Sequence, residues 1–290
     1  MIPMHGTSTG LVQPPYYGAQ EKHPELQALV SALSAGPIAP SDVVGSSNST
    51  LILSTCRADG VLLKPDRPAF PPGVMFLRRL RGKGEVQLTH TTLAGAGRWT
   101  YCLSFGMKEQ ITLTAKELGA PSGTDSGSDS DGTDSTGIAW ARKNLEPFAV
   151  SMDGKELRRF SPSQPLSLAL QPPSRHAGDW GLYTYWRTAP TTCRGQGWTL
   201  LGELQKLVSV STQRFANVTA TCDMVAVDRE PTLSVALMGT EGESVAVWFV
   251  QPPPSKRVVT VQVRLRSTSA RVLCSGATCA QNDVPRPPKE

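Results

Sequence analysis

The chain is short of charge. Asp, Glu, Lys and Arg make up 18% of its 290 residues, and the net charge is +5. A disordered polyelectrolyte carries a far higher charge density. The mild basic excess is spread out rather than clustered, so no nucleic-acid partner is expected. Hydrophobic residues reach only 39%. No stretch approaches the roughly 18 apolar residues of a membrane helix, and no membrane partner is expected. The first residues, Met1-Ile2-Pro3-Met4-His5-Gly6, lack the cationic start and apolar run of a signal peptide. There is no Gly-x-Ser-x-Gly nucleophile elbow and no phosphate-cradling glycine loop. The four histidines are not grouped near the cysteines, so neither a metal nor a cofactor is expected.

What fills the gap is 26 Gly and 24 Pro. Proline breaks helices and glycine weakens them, which excludes a coiled coil and a helix bundle. A strand-rich, turn-rich chain remains.

The first seventy residues follow a different rhythm from the rest. Pro24 sits where a helix loses nothing by lacking an N–H. Leu26, Leu29, Val30 and Leu33 then recur at helical spacing, and Gly36-Pro37 ends the run. A helix over 24–35 is predicted. A short buried strand near Ile38 follows, ending at Pro40. A second helix over 49–58 is closed by Asp59-Gly60, and Val61-Leu62-Leu63 reads as a strand. The proline-rich stretch 65–72 marks a domain boundary. Beyond it the hydrophobic period changes to 2. Strand-like runs include 74–77, 85–89, 99–103, 110–114, 148–150, 166–170, 181–186, 224–227, 233–237, 245–250 and 258–263. Asp153-Gly154 is a hairpin turn signal. Many short strands between Gly, Pro and Asp predict an antiparallel β-sandwich over 71–290. Residues 119–137 are almost wholly Gly, Ser, Thr and Asp. They read as a flexible insertion, and Asp129, Asp131 and Asp134 within it lack the closing Glu of an EF-hand calcium loop.

Six cysteines, an even number, fit disulfides in an oxidising compartment. Cys274 and Cys279 flank a four-residue turn and are read as one disulfide. Asn48-Ser49-Thr50 and Asn217-Val218-Thr219 both fit the N-glycosylation acceptor. Secretory features without a signal peptide suggest a missing N-terminus.

The block 34–45, Ser-Ala-Gly-Pro-Ile-Ala-Pro-Ser-Asp-Val-Val-Gly, followed by Ala58-Asp59-Gly60-Val61-Leu62-Leu63-Lys64-Pro65, resembles a stretch of the α-galactosidase and raffinose-synthase-like glycoside hydrolases. There, a Gly-Gly-Pro-x-x-x-Ser-Asp-Lys-x-Gly block lies around the eighth barrel strand and a C-terminal β-domain follows. The stretch running from Gly197-Trp198-Thr199-Leu200-Leu201-Gly202-Glu203 to Phe215 resembles a poorly characterised group of related barrel proteins. The resemblance implies that 1–70 are the last αβ unit of a (β/α)8 barrel ahead of the sandwich. It implies a sugar-acting whole protein that hydrolyses or transfers α-galactosyl units, with an oligosaccharide or glycan as partner. This chain departs from the pattern at Ala35 and Val43, which stand for the family's Gly and Lys. Gln13-Pro14-Pro15-Tyr16-Tyr17 stands where an acidic block is expected. The paired catalytic carboxylates of a retaining glycosidase would lie before Met1. The chain is therefore read as inactive alone, with no catalytic residue of its own.

Ser41 and Asp42 are the substrate-binding candidates, because barrel active sites gather at the C-terminal ends of strands. The competing reading is that they cap a following turn. Trp198 could stack on a sugar but lies in an apolar pattern and reads as core. The aromatic cluster Trp180, Tyr183, Tyr185 and Trp186 could form a binding platform. Arg78 to Lys83 read as a solvated basic turn. An alternative to the barrel reading is a self-contained, secreted β-sandwich module for carbohydrate binding or adhesion. The two diverge on one point. A barrel remnant leaves the stripe of Leu26, Leu29, Val30 and Leu33 under-buried, because its neighbours are missing.

Overall fold

The computed structural model describes residues 23–39, 47–77, 83–114, 147–152, 154–159, 165–168, 183–222 and 230–282. Within these the chain is mainly β, and its sheets are antiparallel.

Three helices precede the strands. They are α1 (Pro24–Leu33), α2 (Ser49–Leu53) and α3 (Gly73–Leu77). Helix α1 ends at Leu33, two residues short of the expected 35, with Ser34 at the C-cap, and Ala35 rather than Gly36 takes the left-handed region at φ 56°. Helix α2 is half the expected length. Asn48 caps it by accepting the Leu51 N–H, and after Leu53 the chain turns into a single bridge, Cys56 to Leu62. The strands expected at Ile38 and at 61–63 do not form. Residues 37–39 have no partner strand, and only that bridge marks Leu62. Residues 74–77, expected as a strand, are helical. Val74 and Met75 are buried while Phe76 and Leu77 are exposed, a two-and-two pattern that fits a turn of helix rather than alternation.

Next come β1 (Glu85–Leu93), β2 (Gly97–Phe105), β3 (Ile111–Leu113), β4 (Phe148–Ser151), β5 (Leu157–Arg159), β6 (Leu166–Leu168) and β7 (Tyr183–Ala189). Five of them form one sheet in the order β1-β2-β7-β4-β5, and β3 pairs with β6. The remaining strands are β8 (Thr199–Gly202), β9 (Phe215–Thr221), β10 (Thr232–Met238), β11 (Ser244–Val250), β12 (Val258–Arg264), β13 (Ser269–Ser275) and β14 (Thr278–Asn282). They form a four-stranded sheet, β14-β13-β10-β9, and a three-stranded one, β12-β11-β8.

The five-stranded sheet is covered on both faces. Trp99, Tyr101, Leu103 and Tyr185 enter one core together with residues of β8 to β13. Cys102, Ala149 and Trp186 enter a second core under α3 and the β3–β6 pair. This explains why β2 reads as a nearly continuous buried run instead of alternating.

Helix α1 belongs to the first of these cores. Leu26 is 8% exposed, Leu29 0% and Leu33 1%, and Val30 packs against the same cluster. The under-buried stripe expected of a barrel remnant is thus overturned, because the sheets themselves supply the neighbours. The proline-rich stretch is a seam rather than a free linker. Asp66 N–H donates to His90 O, Phe70 and Leu88 exchange both backbone bonds, and Ala69 N–H reaches Leu33 O.

Candidate functional site

Residues 203–214, between β8 and β9, have no regular secondary structure, yet most are buried. They form no ladder; some of their backbone groups pair with backbone, as Glu203 N–H does with Ser209 O and Leu207 N–H with Ser54 O, and side chains satisfy several of the rest. Those side chains arrive from every part of the chain. The Tyr101 hydroxyl donates to Val210 O at 2.5 Å and accepts the Val210 N–H at 3.0 Å. Tyr185 donates to Leu207 O at 2.6 Å. The Arg187 guanidinium donates to four carbonyls, those of Ser151, Met152, Leu204 and Lys206, at 2.7–3.3 Å. Burial pushes the Tyr101 hydroxyl up to about 12, and the Tyr185 hydroxyl is also raised well above its usual value. Both therefore stay protonated donors.

The N-terminal part is tied to the same segment. Ser211 Oγ accepts from Lys64 N–H and donates to Lys64 O. Lys206 Nζ donates to the carbonyls of Leu53 and Cys56, both at 2.7 Å. Arg57 donates to Gln213 O at 2.7 Å. Gly202 makes the entry possible. Its φ is +85°, and a Cβ there would overlap the Ser209 carbonyl.

At the far end lies a charged triad. Arg214 is 0% exposed. Its Nε donates to Glu203 Oε1 at 2.7 Å, and Nη1 and Nη2 clamp Glu243 at 2.9 and 2.5 Å. Nη1 also donates to Met238 O. Burial raises the Glu203 carboxyl despite the cation beside it. At Glu243 burial acts the same way, but hydrogen bonds from Arg214 and from the Ala58 and Thr240 N–H groups outweigh it, so the carboxyl is held below its ordinary value. One cation serves two carboxylates, and both carboxylates are occupied. Their oxygens are committed to Arg214 and, at Glu243, also to the Ala58 and Thr240 N–H groups.

A small cleft opens between α1, α2 and this segment, with a volume of about 250 Å³. Glu25, Asn48, Thr50 and Gln205 give it polar walls, and Leu51 and Met152 an apolar one. It falls just below the ~300–1,000 Å³ of ordinary ligand pockets.

Of the sequence-predicted residues, Ser41 and Asp42 lie outside the described residues. So do the 119–137 insertion, Trp180, the strand-like run 224–227 and most of the basic turn 78–83. Cys274 and Cys279 are joined in a disulfide across the β13–β14 hairpin. A second disulfide joins Cys193 and Cys222. Cys56 and Cys102 are free and buried, and burial pushes the Cys102 thiol up to about 12, which leaves it unreactive. Asn48 and Asn217 are both exposed. Trp198 is wholly buried, as its apolar pattern suggests. Of the aromatic cluster, Trp180 lies outside the described residues and Tyr183 is half-buried. Tyr185 and Trp186 are 2% and 5% exposed, because each face of their sheet has a core to fill. Among the described residues no group of His, Cys, Asp and Glu is placed to hold a metal, and no helix is long and apolar enough to cross a membrane.

The 203–214 segment was not legible as a site. Its sequence signal is confined to the 197–215 block, which the resemblance singled out without giving it a role. No protein-family model and no curated protein matches this chain.

Proposed function

We propose that this chain is a self-contained, non-catalytic β-sandwich module of the secretory route, and that its cleft receives the terminal unit of a glycan. One observation carries the reading. Leu26, Leu29 and Leu33 are buried in the same core as the sheets, which supports reading residues 23–77 and the sheets as one module. Two further features support it. The Glu203 and Glu243 carboxylates are both held by Arg214, and two disulfides staple the β-rich part. The test is calorimetry of the purified chain with and without α- and β-galactosides. A single cooperative transition, a higher Tm with millimolar sugar and no sugar release are expected. Hydrolysis, two separate transitions, or no shift with any sugar would overturn it.

The second reading is the C-terminal part of a glycosidase-like protein, closing and bracing a barrel. It is favoured by the apolar surface left open within 53–77, where Leu53, Phe70, Phe76 and Leu77 are 51%, 40%, 64% and 87% exposed. Activity of the full gene product on a panel of α-galactosides, absent from this chain alone, would support it over the first.

A further inference from the structure

We infer that Asn217 carries an N-linked oligosaccharide. The site is built by the fold and not by the triplet alone. Strand β9 is the last strand of its sheet and pairs only with β10 among the described residues. Its register slips near its start. Asn217 faces Ala236 and Phe215 faces Leu237, so Ala216 is an extra residue. Such a bulge re-aims the side chains that follow it. Asn217 and Thr219 then stand on the same outward face, two residues apart, and both are exposed. The Thr219 hydroxyl donates to the Asn217 side-chain oxygen at 3.4 Å. The amide nitrogen has no partner among the described residues. Beside them on β10 stand Ser234 and Ala236, small side chains that leave space above the sheet.

Asn48 provides the contrast. Its side-chain oxygen caps α2, and Thr50 is inside that helix. The triplet at Asn48 leaves the extended shape once α2 forms, whereas the triplet at Asn217 keeps it in the folded strand. The two disulfides add a second line, since a chain that forms them matures where glycan transfer also occurs.

The donor is an oligosaccharide linked through its reducing-end C1 to a polyprenyl diphosphate. The C1–oxygen bond breaks and the diphosphate leaves with the electron pair. A bond forms from C1 to Nδ2 of Asn217, and the amide gives one proton to a base of the transferase. The Thr219 hydroxyl, which hydrogen-bonds the carboxamide oxygen, polarises the amide for that attack.

Peptide mass spectrometry of the protein purified from the cells that make it, after enzymatic deglycosylation in heavy-oxygen water, reads the site directly. Conversion of Asn217 to labelled Asp in most molecules is expected, with lower occupancy at Asn48. Unmodified Asn217 in protein whose Cys193–Cys222 and Cys274–Cys279 bonds are oxidised would overturn the inference. Thr219→Ala should abolish the modification while leaving both disulfides and the Tm of the deglycosylated protein unchanged. Thr219→Ser should restore it in part. Modification that persists in Thr219→Ala would also overturn it.

Discussion

Residues 203–214 and residues 258–282 are satisfied by opposite means. In 258–282 the backbone pairs with backbone. Strand β13 bonds to β10 on one side and β14 on the other, and its burial alternates without a break. The outward side chains of β13 have little to do, although Gln281 on β14 bonds both backbone groups of Arg264. In 203–214 the backbone has no ladder, and Tyr101, Tyr185 and Arg187 bond several of its groups, while Lys206 ties the segment to the Leu53 and Cys56 carbonyls. The lesson concerns where single substitutions act. A side chain that bonds buried backbone leaves orphans when removed, whereas one on the outer face of a paired strand does not.

Arg214→Ala is the sharpest way to break the contrast. It strips the cation from two nearly buried carboxylates and frees the Met238 carbonyl. Removing one partner of a buried ion pair costs about 3–5 kcal/mol. Urea unfolding at neutral pH should show that loss, and a change below about 1 kcal/mol would mean the segment holds itself. The same triad sets a pH dependence. The Glu243 carboxyl lies below its ordinary value of 4.5 in the folded state, so its stabilisation is present above that pH and fades as pH falls through the lowered value. Glu203 is raised and acts in the other sense, favouring the folded state only when protonated. Glu243→Gln should be less stable at pH 7 but should lose less stability than the parent as pH falls below 4.5. Equal acid sensitivity of the two proteins would place the acid response elsewhere.

How much of this the sequence revealed depends on the same division. Strands β1, β2, β10, β11 and β12 are recognisable because alternation or a continuous apolar run is a local signal. Strand β13 alternates just as cleanly in the structure, but an outward Leu273 between Val272 and Cys274 makes 272–274 a continuous apolar run in the sequence, and it was missed. Helix α3 was misread because Val74-Met75-Phe76-Leu77 is a short apolar run, which periodicity alone cannot assign to strand or helix. The 203–214 segment was invisible for a stronger reason. Its partners Tyr101, Lys64 and Leu53 lie more than a hundred residues away, and no window of sequence holds both ends. The stripe on α1 was read correctly as an apolar face, but what covers it belongs to the tertiary structure.

Tyr101→Phe tests the middle of the range. The ring stays in the core and only the hydroxyl leaves, yet the Val210 N–H and C=O both lose their partner. Orphaning such buried groups costs about 1–3 kcal/mol, below the effect at Arg214. Chemical denaturation should place the variant there.

The smallest effect belongs to the other region. Leu273 is apolar and 39% exposed on the outward face of β13, opposite Ser234 on β10 and Ala280 on β14. Leu273→Thr keeps β-propensity and every ladder bond, since no backbone group relies on that side chain. Its unfolding free energy should stay within about 0.5 kcal/mol of the parent. A larger loss would mean that the outward face of this sheet is packed against something. The two regions would then differ in the nature of their partners and not in their dependence on them.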